Sequence, residues 1–158
     1  MKINTGDKAP EFTAELDGGK RLSLNEFRGK WLVLYFYPKD DTSGCTKEAC
    51  SFRDNMERIT SLEAGVIGVS PDSAKSHDKF REKYSLNFHL VSDTDKTICS
   101  DYGVWVEKSM YGKKYMGVER TTFLIGPEGH IKHIFPKVKV EGHVDEVIEL
   151  LKELQGRN

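Results

Sequence analysis

The sequence lacks the features that would mark a metalloprotein, a membrane protein or a nucleic-acid binder. Its three cysteines are spaced C-x4-C, at Cys45 and Cys50, with Cys99 far downstream. That fits no zinc pattern and is too sparse for a disulfide scaffold. The five histidines stand apart from them, and His130 and His133, three apart on an expected strand, point to opposite faces. No metal and no cofactor are therefore expected. No apolar run approaches the roughly 18 residues of a membrane helix, and Met1-Lys2-Ile3-Asn4 opens no signal sequence. Lysine plus arginine number 24 against 25 acidic residues, a net charge of −1, so neither a polyanion nor an anionic membrane is an expected partner. Repeats, low-complexity tracts and linkers are missing too. The 158 residues read as one domain, 1–158, large enough to bury a substantial core. A cytoplasmic protein is expected, in a compartment where thiols are catalytic or inert rather than structural.

What is present is concentrated between Trp31 and Phe52. Trp31 through Tyr37 is continuously apolar, aromatic and β-branched, and Pro38 stops it, which predicts a buried central strand. A polar loop follows, Lys39-Asp40-Asp41-Thr42-Ser43-Gly44, rich in capping residue types. Then Cys45, Ala49, Phe52, Met56 and Ile59 recur at helical spacing and predict one helix. Cys45 falls in its first turn, where unpaired N–H groups and the helix dipole favour an anion. The thiolate is the nucleophilic form of cysteine. A small buried hydrophobe is the plainer reading of a lone cysteine, and position alone leaves both open. Cys50 lies about 140° further round, with its Cα roughly 8.6 Å from that of Cys45. A disulfide tolerates at most about 7 Å. The two join only if at least a turn of helix unwinds.

Pro38, Thr42 and Cys45 match the P-x-x-x-T-x-x-C motif of peroxiredoxins. The string YFYPKDDTSGCTKEACSFRD resembles the bacterioferritin-comigratory-protein, or peroxiredoxin Q, subfamily. The ERTTFLI run around Arg120 and the VWVEKSMYGKKYMG segment extend the likeness over nearly the whole chain. Ser43 departs from the pattern, since most members carry proline there.

The rest of the chain is consistent with that likeness. Asp17-Gly18-Gly19-Lys20 predicts a small N-terminal hairpin. Val66 to Ser70 predicts a second buried strand, parallel to the first through the intervening helix. A helix from Ser73 to Tyr84 with sparse apolar positions is expected on the surface. Phe88 to Val91 reads as a short strand, and Thr94 to Tyr102 as a short helix holding Cys99. Residues 103–118 show no period and read as a long aromatic loop lidding the core rather than a wall of the reaction site. Glu119 to Ile125 and His130 to Phe135 form a hairpin around Gly126-Pro127-Glu128-Gly129, and a helix with apolar Val144, Val147, Ile148, Leu151 and Leu154 closes the chain. The fold class is α/β: a thioredoxin-like fold with an extra N-terminal β-hairpin and a central mixed sheet flanked by helices.

The resemblance implies a thiol peroxidase without cofactor, acting on hydrogen peroxide and organic hydroperoxides. Cys45 would attack the peroxide and become a sulfenic acid. Cys50 would resolve it as an intramolecular disulfide, and a thioredoxin-like dithiol would reduce that by exchange. Arg120 is the matching guanidinium, always charged and planar; otherwise it is a surface strand arginine. Thr42 can donate and accept beside the sulfur, or merely cap the helix. Pro38 would shield the thiolate and also ends the strand. Glu48 is a candidate partner for Arg120, or a carboxylate serving the helix dipole. Cys99 matches no motif and reads as a structural thiol. A thioredoxin-like disulfide oxidoreductase is disfavoured because C-x-x-C is absent. A redox-sensing binding module would not need Pro38, Thr42, Cys45 and Arg120 together. A monomer is expected.

Overall fold

The structure, a computed structural model, describes residues 3–16 and 19–157. Strands β1 (Thr13–Leu16) and β2 (Arg21–Ser23) pair antiparallel as the expected hairpin; its tip, Asp17-Gly18, lies outside the described residues. The central strand is β3 (Trp31–Phe36). On one side it pairs in parallel with β4 (Ala64–Ser70), and β4 in turn with β5 (His89–Ser92). On its other side stands β8 (Thr121–Ile125), antiparallel, followed by β9 (Ile131–Phe135). The sheet order is β2-β1-β5-β4-β3-β8-β9, a mixed sheet.

The unbroken apolarity of β3 follows from burial on both faces. With side chains alternating along a strand, Val33 and Tyr35 enter one core cluster, while Leu32, Leu34 and Phe36 enter the other. The first cluster is covered by α1 (Ser43–Asp54), α2 (Met56–Ser61) and α5 (His143–Leu154). The second is covered in part by α4 (Thr97–Asp101), which contributes Ile98 and Cys99.

Three expectations are corrected. The helix from Cys45 to Ile59 is two helices, parted at Asn55, whose side chain donates to the Ser51 carbonyl at 2.8 Å. Asparagine competes for backbone groups in this way and disrupts helices. Helix α3 (Ala74–Lys83) is not merely superficial, because His77 and Phe80 are buried; even sparse inward positions seat a helix when their side chains are fully enclosed. Residues 103–118 are not a loop. They form a second, two-stranded sheet of β6 (Trp105–Met110) and β7 (Lys113–Val118). Tyr111 and Gly112, at φ 52° and 79°, supply the positive dihedrals of a tight hairpin turn. The outer part of the ribbon does not lid the core, since Met110, Tyr111, Tyr115 and Met116 are exposed. Only the base of the ribbon, at Trp105 and Val118, packs on the core, and a ribbon whose outer part is exposed carries no alternation to read. Among the described residues, no helix is long and apolar enough to cross a membrane.

Candidate active site

Pro38 ends the central strand and the chain turns into α1 through a loop that Thr42 completes. Thr42 is the extended residue before the helix (φ −96°, ψ 158°), and its carbonyl accepts the first helical bond, from Thr46 N–H at 2.8 Å. Its hydroxyl donates to the Lys39 carbonyl at 3.0 Å, which leaves the oxygen able to accept. Cys45 is the third residue of α1 and is only 1% exposed.

Arg120, just ahead of β8, reaches across to this helix. Its Nη2 donates to Cys45 Sγ at 3.2 Å and its Nη1 to Glu48 Oε1 at 2.6 Å. One planar guanidinium thus holds the sulfur and the carboxylate together, a geometry for which its fork of donors is suited. Gly44 leaves room for the approach: a Cβ there would lie 3.3 Å from Arg120 Nη2, a tight contact. Burial opposes the charge on Arg120, yet Glu48 and Cys45 beside it hold its pKa above the ordinary arginine value. Glu48 shows the opposite balance. Its burial outweighs the attraction of Arg120 and raises its pKa from 4.5 to about 7. Both effects are consistent with a dry site in which one cation serves two acidic groups.

The surrounding groups keep the site neutral apart from these. Glu48 Oε2 and the Tyr35 hydroxyl are buried with no hydrogen-bond partner among the described residues. Burial raises the Tyr35 phenol well above its usual range, and Glu48 and Cys45 add to the shift. His143 opens α5 and pairs with the Thr122 hydroxyl at 2.8 Å. Burial first, and Arg120 second, lower its pKa from 6.5 to about 4. Gly44, Tyr35 and His143 were missed in the sequence, because each acts through tertiary approach rather than through spacing along the chain.

Cys50 is half-buried on the same helix, and all three cysteines are free thiols. With α1 intact, Cys45 and Cys50 are beyond disulfide reach. Cys99 belongs to the opposite core cluster from Cys45, and burial pushes its thiol far up. A surface cavity of about 720 Å³, lined among others by Tyr102, Trp105, Phe123 and Ile134, includes none of the Cys45 group in its lining.

A nearly inaccessible thiol at a helix start, on a thioredoxin-like sheet and under a guanidinium, defines a cysteine-based redox enzyme. Residues 5–134 match the family model described as the AhpC/TSA family. The bcp peroxiredoxin of Coxiella burnetii is 55% identical over 148 residues, covering 94% of this chain and 98% of that one. Peroxiredoxin Bcp of Bacillus subtilis is 47% identical, covering 99% and 100%. Among solved structures, the bacterioferritin comigratory protein of Xanthomonas campestris superposes with a TM-score of 0.86 at 45% identity, covering 90% of each chain. The chain belongs to the AhpC/TSA family, within its Bcp/peroxiredoxin Q branch of peroxiredoxins. It is a thiol peroxidase.

Proposed function

We propose that Cys45 is the peroxidatic cysteine and Cys50 its resolver, in a single domain that reduces hydrogen peroxide and organic hydroperoxides at the expense of a thioredoxin-like dithiol. The observation that carries this reading is the Arg120 fork, with Sγ of Cys45 and Oε1 of Glu48 on its two nitrogens. The Xanthomonas relative is described by its alkyl peroxide reduction activity and its trapped intermediate and ligand complexes, which favours organic hydroperoxides among the substrates here.

The Cys45 thiolate attacks the terminal peroxide oxygen. An S–O bond forms, the O–O bond breaks, and the remaining oxygen leaves as water or alcohol after taking a proton. Arg120 donates to the sulfur and to the oxygens as negative charge moves between them. Thr42 supplies a hydroxyl beside the path and Pro38 limits solvent. Helix α1 then unwinds, the Cys50 thiol attacks the sulfenic sulfur, water leaves and the disulfide forms. The external dithiol reduces it by two exchanges, becoming a disulfide itself. A cytoplasmic monomer suits this cycle, since both cysteines lie on one helix.

Stopped-flow mixing of the reduced protein with hydrogen peroxide and with cumene hydroperoxide tests the assignment. Cys45→Ser is expected to abolish peroxide consumption. Cys50→Ser should consume one equivalent and stop at a sulfenic acid trapped by dimedone. A Cys50→Ser protein that turns over normally with thioredoxin would refute the resolver.

A further inference from the structure

The loop carrying Pro38 and Thr42 is held from beneath by a buried polar network. Asp40 is 7% exposed and His77 fully buried. His77 Nδ1 lies 2.7 Å from Asp40 Oδ2, and its Nε2 lies 3.0 Å from the Val91 carbonyl on β5. Asp40 Oδ2 also accepts from the Ser76 hydroxyl at 2.7 Å, and Oδ1 from the Tyr37 hydroxyl at 2.6 Å. The Asp40 N–H donates to Asp72 Oδ2 at 2.8 Å, an oxygen that takes the Ser70 hydroxyl as well.

The donors and acceptors fix the charges. A carbonyl only accepts, so Nε2 carries a proton. Asp40 already receives two hydroxyl donors, as a carboxylate does, so Nδ1 carries one too. The pair is an imidazolium on a carboxylate, sealed between loop, α3 and β5. Asp40, Asp72 and His77 do present ligand atoms within 4.8 Å of one another, but the oxygens and nitrogens that face each other are engaged by these bonds. The loop has a second tie to α3, from Asp41 to Lys83 at 2.8 Å and to the Tyr84 hydroxyl at 2.7 Å. Its ion pair is about half exposed, so solvent screens it. The buried pair is what defines the loop.

We infer that His77 and Asp40 are positioning residues for the peroxide step, holding the loop so that Pro38, Thr42 and the start of α1 keep the geometry in which Cys45 meets a peroxide. The inference rests on the assignment of Cys45 and Cys50 above. The hydrogen-bond partners of the pair include neither Cys45 nor Cys50, and the disulfide step begins after the site has opened, so only the first step depends on the latch.

Rapid-quench mass spectrometry separates the two steps in one experiment. Loss of the Cys45 thiol scales with peroxide concentration, whereas formation of the disulfide does not. In the unsubstituted protein a peroxide-dependent burst followed by that disulfide upholds the assignment itself. His77→Leu is expected to lower the peroxide rate constant by about tenfold to a hundredfold, the penalty of a misplaced reacting group, with disulfide formation undiminished. His77→Asn keeps a neutral donor toward Asp40, carries the test if the leucine variant fails to fold, and should recover much of the rate.

The pH profile distinguishes positioning from simple packing. His77 faces Asp40, Asp72, Ser76 and Tyr37, and despite the opposing effect of burial the Asp40 contacts raise its pKa above 6.5. The latch is therefore complete below about 6.5 and weakens as pH rises through the higher folded-state value. The rate ratio of the unsubstituted protein to His77→Asn should fall over that range. An unchanged peroxide rate in the folded variants, an equal loss in both steps, or a ratio flat with pH would overturn the inference.

Discussion

Glu48→Gln tests the electrostatics of the site most directly. Glu48 is 1% exposed, with Oε1 on Arg120 and Oε2 without a partner. Its pKa is raised from 4.5 to about 7, by burial acting against Arg120. A carboxyl whose folded pKa is raised stabilises the fold in its neutral form. That contribution is complete below about 4.5 and is lost as pH rises through about 7, because the unfolded chain releases its proton first. Integrated between pH 5 and pH 8, the loss is on the order of 2–3 kcal/mol. Glutamine keeps an acceptor for Arg120 Nη1 and does not titrate. Urea unfolding of the reduced proteins at the two pH values should therefore show the difference between Glu48→Gln and the parent moving in favour of the variant by about that amount. A difference independent of pH, or one moving the other way, would mean that Glu48 is ionised throughout. The attraction of Arg120 would then exceed the burial penalty, and the reasoning would be wrong.

The other groups of the site give predictions of different kinds. Arg120→Lys leaves a point charge unable to donate to Cys45 and Glu48 at once, and should slow peroxide oxidation about a hundredfold or more by stopped-flow; a loss below about tenfold would contradict the fork. Gly44→Ala places a methyl 3.3 Å from Arg120 Nη2. It should lower the peroxide rate by displacing the guanidinium, measured by stopped-flow, with any gain from helix propensity limited to about 1 kcal/mol; a variant that is equally fast would remove the need for glycine. His143, held down to about 4, stabilises the fold only while neutral, so that stability is present above about 6.5 and lost as pH falls toward 4. Denaturant unfolding should show about 2 kcal/mol of it gone by pH 5, and His143→Gln should flatten that limb.

The sequence made the central strand and the helix after it legible through their patterns. Trp31 to Tyr37 is apolar at every position because both faces of β3 are covered, and Pro38, Thr42 and Cys45 stood out in the loop and helix behind it through their likeness to a family motif. Arg120 was found by likeness to a family, since nothing in the chain says that a residue 75 positions away reaches Cys45. The ribbon of β6 and β7 was missed because Met110, Tyr115 and Met116 face solvent and leave no alternation. The Asp40–His77 pair was missed for a related reason. Buried, mutually satisfied polar groups look like surface residues in a sequence, and only their partners reveal them.

These pieces bear on how α1 can be both a binding site and a segment that comes apart. Its buried residues are Cys45, Glu48, Ala49 and Phe52. Unwinding as far as Cys50 exposes only a thiol and a methyl of apolar surface, a small loss beside the roughly 1.5–3 kcal/mol of a buried phenylalanine. Phe52, stacked on Tyr35 with ring centroids 4.7 Å apart, lies beyond the break and can stay. Exposing Glu48 is favourable once pH approaches 7, since its carboxylate regains hydration. What opposes the opening is the Arg120 fork, through its bond to Glu48 and its bond to the Cys45 sulfur, the latter strong while the sulfur is an anion. Conversion to a neutral sulfenic acid removes that charge and weakens the bond. On the proposed chemistry, the first step of the cycle thereby releases the helix for the second, and the unpartnered Glu48 oxygen is part of what makes the release possible.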